Sequence, residues 1–168
     1  DRSPSRGLGD VYKRQLCRYE NYIVKGCAYS YILGNDGKRH VMRCAVDDWW
    51  ATDLGSFINQ QPANLSIECL KKTTVVAFSY DNLQKLYVLV PSFEKFFRMA
   101  TQKAFVAAQD RVLNKLSLPA KVRYLSFIKK YPEIEQHLPQ YLIASYLGIT
   151  KQFLSKIRYE AKKSDLLI

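Results

Sequence analysis

The chain has 168 residues, of which 48% are hydrophobic and 24% charged, enough apolar material to bury the core of one domain or of two small ones. Its 26 lysines and arginines against 15 acidic residues give a net charge of +11, which favours a polyanionic partner without identifying it. No apolar run reaches the about 18 residues of a membrane span, so we expect no membrane partner.

Residues 1–15 differ from the rest of the chain. They are rich in Arg, Ser, Gly and Asp and have no apolar periodicity, and they lack the apolar region of a secretion signal. We interpret them as a non-native leader and begin the fold near Leu16.

The cysteines are too far apart for the short spacings of zinc or iron–sulfur motifs. They are Cys17, Cys27, Cys44 and Cys69. Since no secretion signal is present either, we expect reduced thiols, a cytoplasmic location and no cofactor. His40 and His137 lie far apart in the sequence, so we expect no metal site.

Residues 16–78 have the two-residue period of strands, interrupted by turn residues. Cys27–Leu33 and a returning strand over 38–46 flank Gly34-Asn35-Asp36-Gly37, which is typical of a hairpin turn. The other predicted elements are strands over 22–26, 64–70 and 74–78 and a short helix over 54–58. Several short strands separated by turns indicate a small antiparallel barrel or roll.

A helical period begins after Phe78, with Ser79 or Asp81 as the predicted N-cap. After Pro91 a long helix is predicted over about 91–116. One face carries Phe93, Phe97, Ala100, Ala104, Ala107 with Ala108, and Arg111, and a second carries Phe96, Val106, Leu113 and Leu116. A helix that is apolar on two sides must be covered twice, so we predict a dimer interface along Phe93, Phe97, Ala100, Ala104, Ala107 and Arg111. An ordinary core helix is the alternative.

A second domain is predicted after the break at Ser117-Leu118-Pro119-Ala120. It begins with a helix over 121–131 that Pro132 and Glu133 would stop. The segment that follows predicts two helices, the first over about 140–147, with Gly148 as a turn residue between them and Thr150 as the N-cap of the second. This is the layout of a helix-turn-helix, in which the second helix offers a polar face to the major groove of DNA.

The outer face of this second helix is polar and basic, and residues 138–163 hold five basic and one acidic residue. Lysine suits guanine edges and glutamine suits adenine, while hydroxyl groups suit phosphates. The predicted DNA-binding residues are Gln140, Thr150, Lys151, Gln152, Ser155, Lys156, Arg158 and Tyr159. The alternative is an ordinary helical hairpin with a solvated basic face.

This order of elements resembles the Crp/Fnr family of bacterial transcription regulators, especially members of the Bacteroidetes type. The similarity lies in Tyr19–Gly26, Asp48-Trp49-Trp50, Ile143–Thr150 and Leu154–Arg158, and it extends over nearly all of residues 16–163. The resemblance implies an α+β fold with a cyclic-nucleotide-binding-like β-roll, a long dimerisation helix and a C-terminal winged helix-turn-helix. We therefore expect a partial sensor domain over 16–116, which includes the dimerisation helix over about 91–116, and a DNA-binding domain over 117–168.

The resemblance also implies that this chain is an N-terminally truncated fragment. The first strands and the leading helix of the roll are missing from it. Their absence would leave a sheet edge unpaired, which is a physical liability.

The effector pocket that the resemblance implies departs from the cyclic-nucleotide pattern. Asp53 stands where the family has a glutamate for the ribose, and Asn64 falls in the position of the arginine–serine pair that holds the phosphate. No arginine occurs between Arg43 and Arg98, and a buried phosphate needs such a partner. We expect an unknown small-molecule effector other than cyclic AMP, in a pocket formed by Trp50, Asp53, Leu54 and Asn64.

The sequence predicts a dimeric regulator that binds double-stranded DNA at a palindromic operator. The alternative is a ligand-binding or protein-interaction module of the same fold without DNA binding. An enzyme is not expected, because the sequence has no nucleophile elbow and no phosphate-binding glycine loop.

Overall fold

The computed structural model describes residues 15–163, which leaves the predicted leader outside the described residues apart from Gln15. The chain divides into two compact units, one ending at Phe105 and one beginning at Val106. The first unit mixes strands and helices, whereas the described residues of the second are helical. No helix within 15–163 is long and apolar enough to cross a membrane.

The strands of the first unit form two antiparallel sheets. They are β1 (Tyr19–Lys25), β2 (Cys27–Leu33), β3 (Arg39–Val46), β4 (Ser66–Cys69) and β5 (Thr74–Ser79). In the described residues β1 pairs with β5, and β2 lies between β3 and β4. The predicted hairpin joins β2 to β3, where the Gly34 N–H donates to the Lys38 carbonyl at 2.8 Å and Gly37 has a φ of +74°. All the predicted strands are present, with boundaries shifted by a few residues at most.

Apolar side chains from both sheets meet in one core cluster. Its buried members are Ile23, Ala28, Ala45, Ala51 and Ile67. Three of these five residues are alanines, and the partly buried Trp49, Cys69 and Val75 pack against the cluster. This core fixes the position of β1, which carries a residue of the candidate ligand cavity.

The first unit also contains the helices α1 (Leu54–Asn59) and α2 (Tyr80–Leu89) and the first part of α3 (Pro91–Ser117). Ser79 is the N-cap of α2, and its Oγ accepts from the Asn82 N–H at 3.4 Å. A second core cluster joins α1 and α2 through Phe57 and Leu83. The early part of α3 packs against this cluster, so the long helix is anchored to the sheets at its N-terminal end.

The second unit contains the end of α3 and four further helices in its described part: α4 (Ala120–Lys130), α5 (Pro132–His137), α6 (Gln140–Leu147) and α7 (Lys151–Lys163). The predicted stop at Pro132 is confirmed, since α4 ends at Lys130, and Pro132 also begins the short helix α5. A proline suits the first helical position because the missing N–H would have no partner there. No strand occurs in the described part of this unit, so the wing remains a prediction.

The division between the units falls within α3 and not at the break over 117–120. Within the second unit the end of α3 contacts α6: the guanidinium carbon of Arg111 lies 4.9 Å from the centroid of the Tyr146 ring. A continuous helix carries no break in its periodicity at such a point, so the sequence pattern could not mark it.

Candidate nucleic-acid interface and ligand cavity

The turn between α6 and α7 is fixed by backbone geometry and two caps. Gly148 is left-handed with a φ of +69°, and its N–H bonds to the carbonyls of Ala144 and Ser145. The Ile149 N–H also donates to the Ala144 carbonyl, at 2.9 Å. Thr150 Oγ1 then accepts from the Phe153 N–H at 3.1 Å, so the second helix begins where the sequence predicted.

The inner face of α7 packs against the second unit. Leu154, Ile157 and Ala161 are all at least 98% buried, and their spacing of three and four residues places them on one side of the helix. The inner residues of α6 are buried as well, including Ile143 and Leu147. Burial of this stripe sets which side of α7 turns outward.

The outer face of α7 brings together most of the predicted DNA-binding side chains. Gln152, Ser155, Lys156 and Tyr159 are exposed, and their intervals of three, one and three residues place them on one side of the helix, opposite the buried stripe. Thr150 and Lys151 are exposed at the start of the helix, and Gln140 is half-buried at the start of α6. Lys163 shares the outer face and is exposed, although the sequence interpretation did not include it.

Arg158 takes a different position from the other predicted DNA-binding residues. It is half-buried, and its Nη2 lies 3.2 Å from Oε1 of Glu135 on α5. The same Glu135 oxygen accepts from the hydroxyl of the buried Tyr124 at 3.5 Å. Arg158 follows the buried Ile157 directly and therefore leans towards the interior, where it joins α7 to α5. This placement argues against the predicted direct contact of Arg158 with DNA.

Electrostatics favour an anion at this face. The sequence of α7 holds five basic residues and a single acidic one, and an exposed helix N-terminus adds a partial positive charge. Lys151 and Lys156 form no ion pair within the described part of the chain. Exposed lysines of this kind release counterions when they neutralise phosphates.

Arg123 on α4 braces the turn, a role that the sequence interpretation missed. Its Nη1 donates to the Leu118 carbonyl at 2.7 Å, and its Nη2 donates to the Leu147 carbonyl at 3.2 Å. The guanidinium thereby satisfies the last carbonyl of α6, which has no partner inside its own helix. An arginine on a helix gives no sequence signal for such a bond, because the acceptors are backbone atoms.

The predicted dimer face of α3 is turned towards its own unit at its N-terminal end. Phe93 and Phe97 belong to an aromatic cluster, in which Phe97 meets Trp50 edge-on with ring centroids 5.1 Å apart and Phe93 stacks on Tyr87 at 6.0 Å. Ala100 and Ala104 line a cavity of the first unit, Ala107 is half-buried, and Arg111 lies over Tyr146. At its N-terminal end this stripe therefore packs against the first unit through Phe93 and Phe97, although no residue of α3 is fully buried.

The exposed apolar side chains of α3 lie on its other faces. They are Phe96, Met99, Phe105, Val106, Val112, Leu113 and Leu116. Met99, Val106 and Leu113 are exactly seven residues apart in sequence, which is the repeat of a coiled-coil seam. Val106 and Leu113 belong to the second apolar face predicted from the sequence. The exposed seam that they form with Met99 is therefore a better candidate for an interface between copies than the face with Phe93 and Phe97.

Asp53 is engaged in holding the backbone around α1. One carboxylate oxygen accepts from the Ser56 N–H at 3.2 Å, and the other accepts from the Asn64 and Leu65 N–H groups at 2.9 and 3.0 Å. Asp53 is buried, whereas the Asn64 side chain is exposed, and neither residue lines the cavity described next. Their predicted role as effector ligands is not supported by these positions.

A cavity of about 260 Å³ lies in the first unit between the sheets and the early part of α3. Trp50 and Leu54, the other two predicted pocket residues, line it together with Glu20, Arg43, Thr52, Phe97, Ala100, Thr101, Ala104 and Phe105. Two of the four predicted residues are therefore brought to one cavity. Its walls are mainly aromatic and small aliphatic, with a few polar groups.

Glu20 on β1 is the unexpected residue of this cavity. It is only 3% exposed, and its Oε2 has no hydrogen-bond partner in the structure. Burial raises the pKa of this carboxyl to about 7, against the lowering effects of Thr52 and of the Arg43 charge. A strand glutamate in an alternating pattern is usually exposed, so the sequence offered no reason to single it out.

The arrangement of the His, Cys, Asp and Glu side chains does not indicate a metal site in the described residues. Residues 15–163 contain no group of three or more His, Cys, Asp and Glu side chains placed to hold a metal ion.

No protein-family model and no curated protein sequence matches this chain. Solved structures do match. FixK2 from Bradyrhizobium japonicum is similar at a TM-score of 0.78 with 17% identity, over 93% of this chain and 81% of that one. A CooA mutant from Carboxydothermus hydrogenoformans is similar at a TM-score of 0.74 with 17% identity, over 95% and 74%.

A transcriptional regulator of the crp/fnr family from Eubacterium rectale is similar at a TM-score of 0.68 with 13% identity, over 95% of this chain and 76% of that one. At such identities the similarity shows a shared fold. The fold predicted from the motifs, that of Crp/Fnr transcription regulators, is thus the fold of this chain.

Proposed function

We propose that this protein is a transcription regulator that binds double-stranded DNA through the outer face of α7. The observation that carries the proposal is the exposure of Gln152, Ser155, Lys156 and Tyr159 on one face, opposite a fully buried stripe. The similarity in fold to a crp/fnr-family regulator supports the same conclusion. A solvated basic face without a nucleic-acid partner would show the same segregation, so the basic charge of this face and the similarity in fold favour DNA binding over that alternative.

In this proposal some side chains of α7 contact phosphates and position the helix in the groove, and others contact the edges of the bases. Thr150 and Lys151, at the start of α7, lie where phosphate contacts fix a helix in the groove. Gln152 and Lys156 carry the groups that bind adenine and guanine edges. Lys163, on the same face, adds a further phosphate contact near the end of the helix.

We also propose that two copies bind together at a palindromic operator. The seam consists of Phe96, Met99, Val106 and Leu113, because these side chains are exposed and apolar and three of them follow a seven-residue repeat. A two-fold dimer places its two recognition helices in successive major grooves, about 34 Å apart.

The first unit acts as the effector sensor in this proposal. Its cavity is lined by Arg43 but by no other arginine, and the loop of the family's phosphate site has Ala63 and Asn64 in place of the usual arginine and serine. These features support an effector other than cyclic AMP. Binding would shift the population between states that differ in DNA affinity.

A ligand-binding module without DNA binding is the second candidate, and the cavity with its buried Glu20 is the observation that favours it. The two candidates differ in one measurable property. A regulator has a sequence-dependent affinity for DNA that falls steeply with salt, whereas a module that binds only a ligand has none.

Selection of duplexes from a random pool by this chain, repeated at rising salt, tests the proposal. We expect a palindromic consensus and an affinity that decreases with salt concentration. Failure to enrich any sequence at low salt, with folded protein confirmed by circular dichroism, would leave the second candidate.

A further inference from the structure

We propose that Phe153, in the first turn of α7, is a specificity-determining residue that contacts the C5-methyl group of a thymine in each half of the operator. The inference rests on the proposed function, since it names a feature of the DNA that α7 would read. It adds an apolar contact to a face whose other proposed contacts are polar.

The first argument is the exposure of the Phe153 side chain. It is 47% exposed, and no aromatic ring within residues 15–163 pairs with it. Phe127, the other phenylalanine in the described part of the second unit, is buried and packs against the rings of Tyr131 and Tyr146. Single exposed apolar residues are common on protein surfaces, so the case for a contact depends on where Phe153 lies.

The second argument is the position of Phe153 at the start of α7. The N-terminal residues of a recognition helix contact base edges in the major groove, and Phe153 is the third residue of α7. Its N–H donates to Oγ1 of Thr150 at 3.1 Å, which fixes the backbone at this point. Because helical side chains lean towards the N-terminus, the ring extends towards the end of α7 that would enter the groove.

The third argument is the set of side chains beside Phe153. Lys156 follows it by three residues, so the two side chains are neighbours on the helix surface, and Gln152 directly precedes it. Both neighbours are exposed and carry groups that suit guanine and adenine edges. Phe153 therefore borders the face proposed to read bases and does not belong to the buried stripe of Leu154 and Ile157.

The fourth argument is the chemistry of the major groove. Thymine presents a methyl group there, whereas the other bases present hydrogen-bond donors and acceptors, and phenylalanine is among the side chains that contact this methyl group. The sequence of α7 holds five basic residues and one acidic residue, a charge that favours DNA over an apolar protein surface as the partner of this turn. A thymine methyl group is the part of DNA that complements an exposed benzene ring.

The test replaces each thymine of one half-site of the selected operator by uracil, which removes only the methyl group. For the wild type we expect one position at which the replacement lowers the affinity about fourfold, the factor that corresponds to about 0.8 kcal/mol for burial of one methylene-sized group. A methyl contact releases no counterion, so this ratio should stay the same at rising salt while the affinity itself falls.

Two variants assign the methyl contact to Phe153. Phe153→Ala should bind the thymine and uracil operators equally at that position, because its side chain no longer reaches the methyl group. Phe153→Leu keeps a large apolar side chain and should retain a preference for thymine. Val122→Ala, which removes a 43% exposed apolar side chain from α4, is the control and should show the same preference as the wild type. Circular dichroism checks that each variant is folded.

Two results would overturn the proposal and leave the proposed function intact. One is the same ratio of thymine to uracil affinity in the wild type and Phe153→Ala at every position, and the other is a selected half-site without thymine. If the folded chain enriches no sequence at all, the proposed function fails and the thymine contact fails with it. Selection and uracil replacement are separate measurements, so the two failures are distinguishable.

Discussion

The described part of the first unit has two buried carboxylates, Asp53 and Glu20, that differ in their hydrogen bonding. Asp53 has three backbone donors and fixes the loop around α1, whereas Glu20 leaves Oε2 without a partner. The sequence pointed to Asp53 as the ligand-binding acid and passed over Glu20. Periodicity shows which strand residues alternate, but the environment of Glu20 depends on α3, whose packing on the sheets no local pattern encodes.

Glu20→Gln should stabilise the protein more at pH 8 than at pH 5. The folded state raises the pKa of Glu20 from 4.5 to about 7, so it binds the proton more tightly than the unfolded chain does. The free energy of unfolding of the wild type therefore falls as the pH rises from 4.5 to 7, and this loss is complete above pH 7. Glutamine has no such loss, and the gain at pH 8 should be about 1–3 kcal/mol.

Urea unfolding of both proteins at pH 5 and pH 8 measures this difference. The control Asp81→Asn should shift the free energy of unfolding little at either pH. An equal effect of Glu20→Gln at the two pH values would show that Glu20 titrates normally in the folded protein.

The helix-turn-helix segment is the element for which the sequence was most informative. The bounds of α6, the left-handed Gly148 and the N-cap Thr150 are all confirmed, because caps and glycine turns are local properties of a few residues. The ion pair of Arg158 with Glu135 was not foreseen. It depends on α5, a short helix after the predicted stop at Pro132 that the sequence interpretation did not include.

Gly148→Ala should destabilise the second unit by about 1–2 kcal/mol, because a residue with a Cβ is strained in the left-handed region. The new Cβ would also lie 3.1 Å from Cε of Lys115. The control is Gly55→Ala, since Gly55 lies in α1 with an ordinary φ and its nearest contact would be 3.5 Å away. Thermal unfolding checks both variants, and an equal melting temperature for Gly148→Ala and the wild type would contradict the account of the turn.

The whole molecule depends on α3, which the sequence predicted as one long helix with two apolar faces. Both faces exist, and which of them meets a second copy stays a prediction. The face with Phe93 and Phe97 packs within the first unit, and the face with Met99, Val106 and Leu113 is exposed. Amphipathic spacing identifies a stripe, while only the fold decides whether the protomer itself covers it.

If two copies meet along this seam as proposed, a Val106→Lys, Leu113→Lys double variant should dissociate them, because it places four like charges in the seam. Val112→Lys is the matched control, since Val112 is as exposed as Val106 but lies on another side of α3. Analytical ultracentrifugation at several concentrations measures the effect. Dissociation by the control and not by the double variant would place the seam elsewhere on α3.

The affinity of Lys156→Ala for the selected operator tests whether the outer face of α7 reads DNA. The loss should be about 1–3 kcal/mol, with a weaker preference over unrelated sequences. Lys129→Ala removes the same charge from the exposed surface of α4 and should bind nearly as well as the wild type. If Lys156→Ala binds the operator as tightly and as selectively as the wild type, α7 does not read DNA in the way proposed here.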